Sequence, residues 1–204
     1  GLWSPYNRPG RDGVRFGFHY SPTPEGIIPL PYGGLDLSPP IGQRVQHHYS
    51  SGAVRWTFPV QNRQALEVIF DLTAPALDEP APSGRAQAIL THLEDKAALA
   101  RKWSHLLAPG SPPTQELASR LTAELRSRFQ YTMENPSGKS DDPLEDFLER
   151  SKAGHCEYFA SAMALMLRAR GVPARVANGY RLGPWIAEGG YWLVTQNEAH
   201  SWVE

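Results

Sequence analysis

The sequence predicts an α+β fold: helices packed on an antiparallel sheet, with a β-rich segment ahead of them. Two changes of texture carry that prediction. Residues 14–72 are rich in β-branched and aromatic side chains and are broken by Pro and Gly, the signature of short strands. From residue 85 the apolar residues recur at a helical period, and after the last helical stretch alternation returns in "ARVANGY", "YWLVTQN" and "AHSWVE". Helices followed by antiparallel-looking strands form an α+β layer architecture.

Each element follows from local signals. Residues 1–13, rich in Gly, Pro and Arg, read as a loose arm. Within 14–72 the stretches "VRFGFHY", "QHHYSSGAVRWTF" and "ALEVIFDL" read as strands, and six prolines between Pro22 and Pro40 exclude long helices. "YSSGAV" fits a hairpin turn with Gly52 at a position of positive φ. The Pro-rich run "TAPALDEPAPSG", residues 73–84, is a connector and the domain boundary, with the core at 85–204. Trp56 and Phe58 are expected to pack the β unit against that core.

In the core, a helix over 85–107 presents Ile89, Leu93, Leu99, Trp103 and Leu106 on one face. A second starts at Ser111 before Pro112 and buries Leu117, Leu121, Leu125 and Phe129. A third has Asp142 at its N-cap, Pro143 at N1 and Glu145 three residues after the cap. The fourth runs from Cys156 to Arg170 and is ended by Gly171 and Pro173. The Gly-rich loop "LGPWIAEGG" separates the first two of the closing strands.

Composition narrows the function. Of 204 residues 41% are hydrophobic and 20% charged, the balance of a globular protein. A net charge of −1 with no basic block argues against a nucleic-acid partner. A single cysteine excludes an internal disulfide and argues against a cysteine-based zinc site. No carboxylate cluster has metal-loop spacing, and "SDDPLE" is explained by helix capping, so neither calcium nor any other cofactor is expected. No run of eighteen apolar residues spans a membrane. The chain opens on "GLWSPYNRPG" without an initiator Met or signal peptide and stops inside an alternating pattern, which reads as a piece of a longer protein.

The one thiol is the informative residue. A lone cysteine is ordinarily inert core filler. Cys156, however, opens a helix, where unpaired N–H groups and the helix dipole favour negative charge and lower a thiol's pKa. Gly154 just upstream lets other groups approach the backbone beside the sulfur. Glu157 adds to the electrostatics of the helix start. A thiol nucleophile needs a base, and seven histidines compete for that role. His47 and His48 are adjacent in a strand, face opposite ways and cannot jointly hold a metal. His92 and His105 read as solvated residues of the first helix. His155 neighbours Cys156 but does not face it. His200 is left: it lies in a strand after the helix, on one face with Trp202 and Glu204, while Ala199, Ser201 and Val203 share the other. The competing reading of His200 is a structural histidine bonded to backbone.

The runs "GHCEYFASAMALMLRARGVPARVANGY" and "GGYWLVTQNEAHSWVE", together with "FQYTMENPS" and "DPLEDFLERSKAGHCEYFASA", resemble the bacterial transglutaminase-like superfamily, of the membrane-anchored protein-glutamine gamma-glutamyltransferase type. The resemblance covers about residues 125–204. It implies a papain-like core with Cys156 as nucleophile, His200 as base and an orienting Asp on the next strand, beyond Glu204. "NEAHSW" departs from the family's Asp-Ala-His-Ala-Trp run, with Glu198 in place of the acid and Ser201 in place of an alanine. It implies too that the β-rich segment is extracytoplasmic (periplasmic), in an inner-membrane parent whose membrane contact runs through segments absent from this chain.

The mechanism implied is acyl transfer from a glutamine-type carboxamide to an amine through a thioester on Cys156, with a protein or peptide acyl donor and an amine acceptor as partners. Tyr131 is the expected side-chain oxyanion donor, against a plain core role. Trp192, Trp202 and Tyr180 are expected to line the acyl groove or fill the sheet. Without the Asp the chain is expected to be weakly active, with no rescue by Glu198 or Glu204. The alternatives left by the residues are a papain-like cysteine peptidase or amidase that uses water, and a non-catalytic scaffold of the same fold.

Overall fold

The computed structural model describes residues 14–20, 27–28, 34–38, 45–48, 53–56, 64–70 and 84–204. The chain divides into two compact units, Gly1–Pro80 and Ala81–Glu204.

The first unit is all β in its described residues. Strands β1 (Val14–Tyr20), β6 (Gln64–Phe70) and β3 (Gly34–Ser38) form one antiparallel sheet in the order β1-β6-β3. Strands β2 (Ile27–Ile28), β5 (Ala53–Trp56) and β4 (Val45–His48) form another in the order β2-β5-β4, and Ile28 is buried. The expected "YSSGAV" hairpin is the β4–β5 pair, with His48 opposite Ala53; its turn, including Gly52, lies outside the described residues. Phe58, the arm 1–13 and most of the connector lie outside them too.

The described residues of the second unit form five α-helices. The helix expected over 85–107 is broken. It becomes α1 (Gly84–Leu90), a 3-10 turn (Glu94–Lys96) and α2 (Ala97–Leu107). The break is stabilised from outside the helix, because its last carbonyls find other partners. Leu90 accepts from the backbone N–H of Ala174 at 3.1 Å, and His92 accepts from the Arg168 guanidinium at 3.1 Å. Restarting the helix resets its phase. The buried face of α2 is Ala100, Trp103, Ser104 and Leu107, whereas Leu106 and Ile89, expected inside, are exposed. His92 therefore lies in the break and His105 on α2; both are exposed.

Helix α3 (Thr114–Arg128) starts behind Pro113 rather than at Ser111, and Leu117, Leu121, Leu125 and Phe129 are buried as expected. Helix α4 (Pro143–Asp146) has Asp142 as its N-cap, its carboxylate accepting from the Glu145 N–H at 3.1 Å. The same carboxylate pairs with Lys96, tying α4 to the 3-10 turn. A π turn (Phe147–Ser151) follows and ends at Lys152, whose φ of 52° is left-handed. Helix α5 (Cys156–Arg168) ends at Gly171, whose φ of 75° a residue with a Cβ rarely adopts.

The core lies among α2, α3, the π turn and α5. Phe147 is wholly buried at its centre, with ring centroids 4.9 Å from Phe129 and 5.2 Å from Phe159. The Lys152 ammonium rests on the faces of Trp103 and Phe129, 3.8 and 5.0 Å from the centroids, and donates to the Leu148 carbonyl. Burial lowers its pKa first, and the Glu149 carboxylate nearby opposes the shift.

Two short ladders complete the unit. Strand β7 (Gln130–Tyr131) runs parallel to β8 (Ala153–Gly154), and β9 (Val176–Tyr180) pairs antiparallel with β12 (Ala199–Val203), which packs on α5. The expected strand "YWLVTQN" is mostly not one. Only β11 (Tyr191–Trp192) is extended and paired, with β10 (Trp185–Ile186), and Gln196–Glu198 close into a 3-10 turn. Thr195 caps that turn and holds the Glu198 carboxylate with its N–H and hydroxyl at 2.6 and 2.7 Å, a capping box that ends the strand.

Candidate active site

The site is built outward from the start of α5. His155, with extended backbone, precedes the helix, and Cys156 is its first residue, half-buried and unpaired with any other cysteine. The His155 ring turns aside: it lies edge-on to Tyr158 at 4.9 Å, with Nδ1 3.9 Å from the Glu157 carboxylate. Gly154 is buried. A Cβ there would stand 2.9 Å from the Tyr158 ring and 3.3 Å from Phe147, so the glycine admits the aromatic wall behind the thiol.

Tyr131 is carried to the thiol by the β7–β8 pairing. The Gln130 N–H donates to the Lys152 carbonyl at 2.8 Å and the Thr132 N–H to the Gly154 carbonyl at 2.9 Å, which sets Tyr131 opposite Gly154. Its ring leans on Phe159 at 6.1 Å, and 53% of the residue is exposed, so it is not core filler. Desolvation raises the phenol's pKa, and the charge and hydrogen bonding of the Cys156 thiol raise it further; the Arg181 cation and the Cys156 backbone pull the other way. The phenol donates its own hydrogen bond to Met133 Sδ at 3.7 Å. Tyr131 and Cys156 are thus electrostatic neighbours in a site without substrate, where reacting contacts are commonly long.

His200 stands in β12 opposite Gly179 of β9. The alternation of the strand gives Ser201 and Val203 to one face: Ser201 is buried and donates to Asn178 Oδ1 at 2.6 Å, and Val203 packs against the core. His200 shares the other face with Trp202. The Trp202 ring covers Gly179, where a Cβ would meet it at 2.8 Å, so the glycine makes room for the indole. His200 Nδ1 is buried and has no hydrogen-bond partner among the described residues. Burial lowers the imidazole's pKa, and the positive charge of Arg181 lowers it further. Among the described residues no hydrogen bond joins the imidazole to the Cys156 thiol; what joins the two halves of the site is Arg181, whose charge acts on both Tyr131 and His200.

The two acids nearest in sequence are engaged elsewhere. Glu198 sits in the Thr195 capping box, and Glu204 accepts from Arg175 at 2.8 and 3.0 Å and from Trp202 Nε1 at 3.1 Å. Trp202 therefore borders His200, whereas Trp192 pairs edge-on with Trp185 at 5.2 Å in the β10–β11 hairpin. Tyr180 ends β9, half exposed, its hydroxyl 3.4 Å from Gln196 Oε1. Sequence reasoning missed Arg181. It lies between β9 and the Gly-rich loop, where the sequence carries no periodic signal, and its place beside His200 follows only from the pairing of β9 with β12.

Comparison with known proteins agrees with this frame. The family model described as the transglutaminase-like superfamily matches residues 98–204. Protein-glutamine gamma-glutamyltransferase of Pseudomonas aeruginosa is 38% identical over 120 residues, 50% of this chain and 18% of that protein. The uncharacterized Bacillus subtilis protein YebA is 40% identical over 82 residues, 37% of this chain and 11% of its own. The chain thus spans less than a fifth of either curated relative. Among solved structures, the periplasmic domain of TgpA from P. aeruginosa, bound to ethylmercury, superposes with a TM-score of 0.72 at 28% identity, covering 96% of this chain and 68% of that one. A proposed cysteine protease from Cytophaga hutchinsonii shares the fold at a TM-score of 0.50 and 16% identity, covering 95% and 82%. The core has the papain-like α+β frame of these proteins. A match over more than half of the chain, in the stretch that carries the thiol, the phenol and the imidazole, fixes the kinship: this chain belongs to the transglutaminase-like superfamily.

Proposed function

We propose that the core catalyses acyl transfer from a glutamine-type carboxamide to an amine. The observation that carries this reading is the convergence of a helix-start thiol and the Tyr131 phenol, held together by the β7–β8 ladder. In the proposed sequence the Cys156 thiol gives its proton to His200 as sulfur attacks the carboxamide carbon. The tetrahedral oxyanion is met by the Cys156 N–H and the Tyr131 hydroxyl. The C–N bond breaks, the imidazolium gives its proton to the departing ammonia, and a thioester remains. An amine then attacks, His200 takes its proton, and the C–S bond breaks. The lowered pKa of His200 suits both halves: the resting imidazole is neutral and can accept a proton, and its imidazolium, next to Arg181, is a strong donor. His200 as the base rests on family resemblance and on the packing of β12 against α5.

The acyl donor is proposed to be a protein or peptide, and the site extracytoplasmic, as in the periplasmic TgpA domain. No helix among the described residues is long and apolar enough to cross a membrane. Incubation with a glutamine peptide and a primary amine, read by mass spectrometry, tests the reaction. The expected product is the amine adduct, lost in Cys156→Ala and reduced on the order of 10²- to 10³-fold in Tyr131→Phe, the effect of deleting one oxyanion donor. Deamidation alone or backbone scission would assign the site to hydrolysis, and no change in the peptide would refute catalysis.

A further inference from the structure

We propose that Arg181 is a specificity residue of this site, and that the preferred acyl donor carries a carboxylate beside its reactive carboxamide. The inference rests on the acyl-transfer reading above and names the substrate that reading leaves open.

The placement comes from the backbone. The β9–β12 ladder continues one residue past Tyr180, where the Arg181 N–H donates to the Glu198 carbonyl at 2.9 Å. Two residues back, Gly179 lies opposite His200. Arg181 and Gly179 project to the same face, since strand side chains alternate. Arg181 is therefore the diagonal neighbour of His200, about 7–8 Å away at the backbone and within reach of a long side chain. The β9 residue directly opposite His200 is a glycine, so β9 sets no side chain against the imidazole there. From this position its charge bears on His200 in β12 and on Tyr131 at the far side of the site.

The charge is only partly offset: the Glu198 carboxylate feels it, but no carboxylate among the described residues closes on the guanidinium. Arg120, Arg128, Arg150 and Arg175 each pair with a carboxylate, but Arg181 has no ion pair or side-chain hydrogen bond among the described residues and is exposed. The acid best placed to neutralise it is Glu198, its cross-strand neighbour. That carboxylate is held by the Thr195 N–H and hydroxyl in the capping box and makes no ion pair with the guanidinium. A cation next to a base opposes the base's protonation, so it is a costly neighbour for an empty site. A substrate carboxylate resting on the guanidinium removes that cost, and two parallel N–H groups suit a carboxylate's geometry. Such a donor is a peptide whose glutamine is flanked by Asp or Glu, or whose glutamine ends the chain with its α-carboxylate free.

Two measurements test this and separate it from the catalytic reading. The first needs no turnover. Cys156 is alkylated with anionic iodoacetate and with neutral iodoacetamide at low salt, and the ratio of the two rates is compared in wild type and Arg181→Gln. The expected ratio is about three- to tenfold higher in wild type, as one unit charge several ångströms away implies, and it shrinks with added salt. Arg181→Lys keeps part of it and Arg181→Glu inverts it. The second compares amine incorporation into otherwise identical glutamine peptides with an acidic or a neutral flank; wild type prefers the acidic one and Arg181→Gln does not. Equal alkylation ratios in wild type and Arg181→Gln overturn the inference, as does a peptide preference that Arg181→Gln leaves intact. An Arg181-dependent ratio without amine incorporation into any peptide upholds the anion site and refutes the acyl-transfer reading instead.

Discussion

A histidine held in a partly buried place beside a fixed cation leaves a mark on stability. The folded protein binds a proton at His200 less readily than the unfolded chain, where an imidazole titrates near pH 6.5. Between that value and the lower folded pKa the unfolded state holds more protons, so acid favours unfolding. The contribution of His200 is complete above about pH 6.5 and is lost as pH falls through the folded pKa. Denaturant midpoints measured across this range should fall toward acid in wild type and fall less in His200→Gln; equal slopes would show that the imidazole is not desolvated. At this scale the sequence was eloquent about chemistry and silent about neighbours. Residue type, helix start and family likeness single out Cys156, His200 and Tyr131 as candidates. Arg181 is not among them, because its place beside His200 follows from a cross-strand register that the local sequence does not encode.

Helix starts were legible and strand lengths were not. Pro143 behind Asp142 reads as a helix start because proline lacks the N–H that a first turn leaves unused, and the folded chain uses both residues that way. Asp142 also pairs with Lys96, which holds its carboxyl below the usual carboxylate range, with backbone bonds from the first turn adding to the shift. Asp142→Ala should cost about 1–2 kcal/mol, mostly the cap. Asp142→Asn, which keeps the cap and loses the charge, should cost less; the two are separated by denaturant melts. If Asn is as harmful as Ala, the ion pair and not the cap stabilises this element. The helix expected over 85–107 failed for a different reason. Its break depends on Ala174 and Arg168, residues far along the chain that take its carbonyls. "YWLVTQN" has the composition of a strand, but Thr195 closes a capping box with Glu198 just beyond it, and a local hydrogen-bonded turn outcompeted pairing.

For the whole molecule, the division at Pro80 and Ala81 falls inside the Pro-rich run 73–84 that the sequence marks as a connector. A Pro-rich run is expected to connect units because proline lacks the N–H that a ladder or a helix interior needs. Limited proteolysis with a broad-specificity protease should cut first within this run and leave a C-terminal fragment that still melts cooperatively. First cuts between 97 and 170 would mean that the helical unit is the weaker one. That unit's cohesion comes from long-range packing around α3, so Leu121→Ala, at a fully buried position, should cost about 2–5 kcal/mol and lower the fragment's Tm.

The parallel pairing of two residues with two has a temporal consequence. Because the amides of Gln130 and Thr132 are both bonded to the turn that leads into Cys156, the backbone segments that carry the phenol and the thiol cannot separate without breaking those bonds. The segments that carry Tyr131 and Cys156 share one opening event, and under the proposed mechanism the site is either assembled or apart, with few half-formed states to sample. Deuterium uptake makes that visible: the two amides should exchange together, at rates within a few fold, and Gly154→Ala, which crowds Tyr158, should speed both equally. Independent exchange of the two amides would mean that each half of the site keeps its own clock.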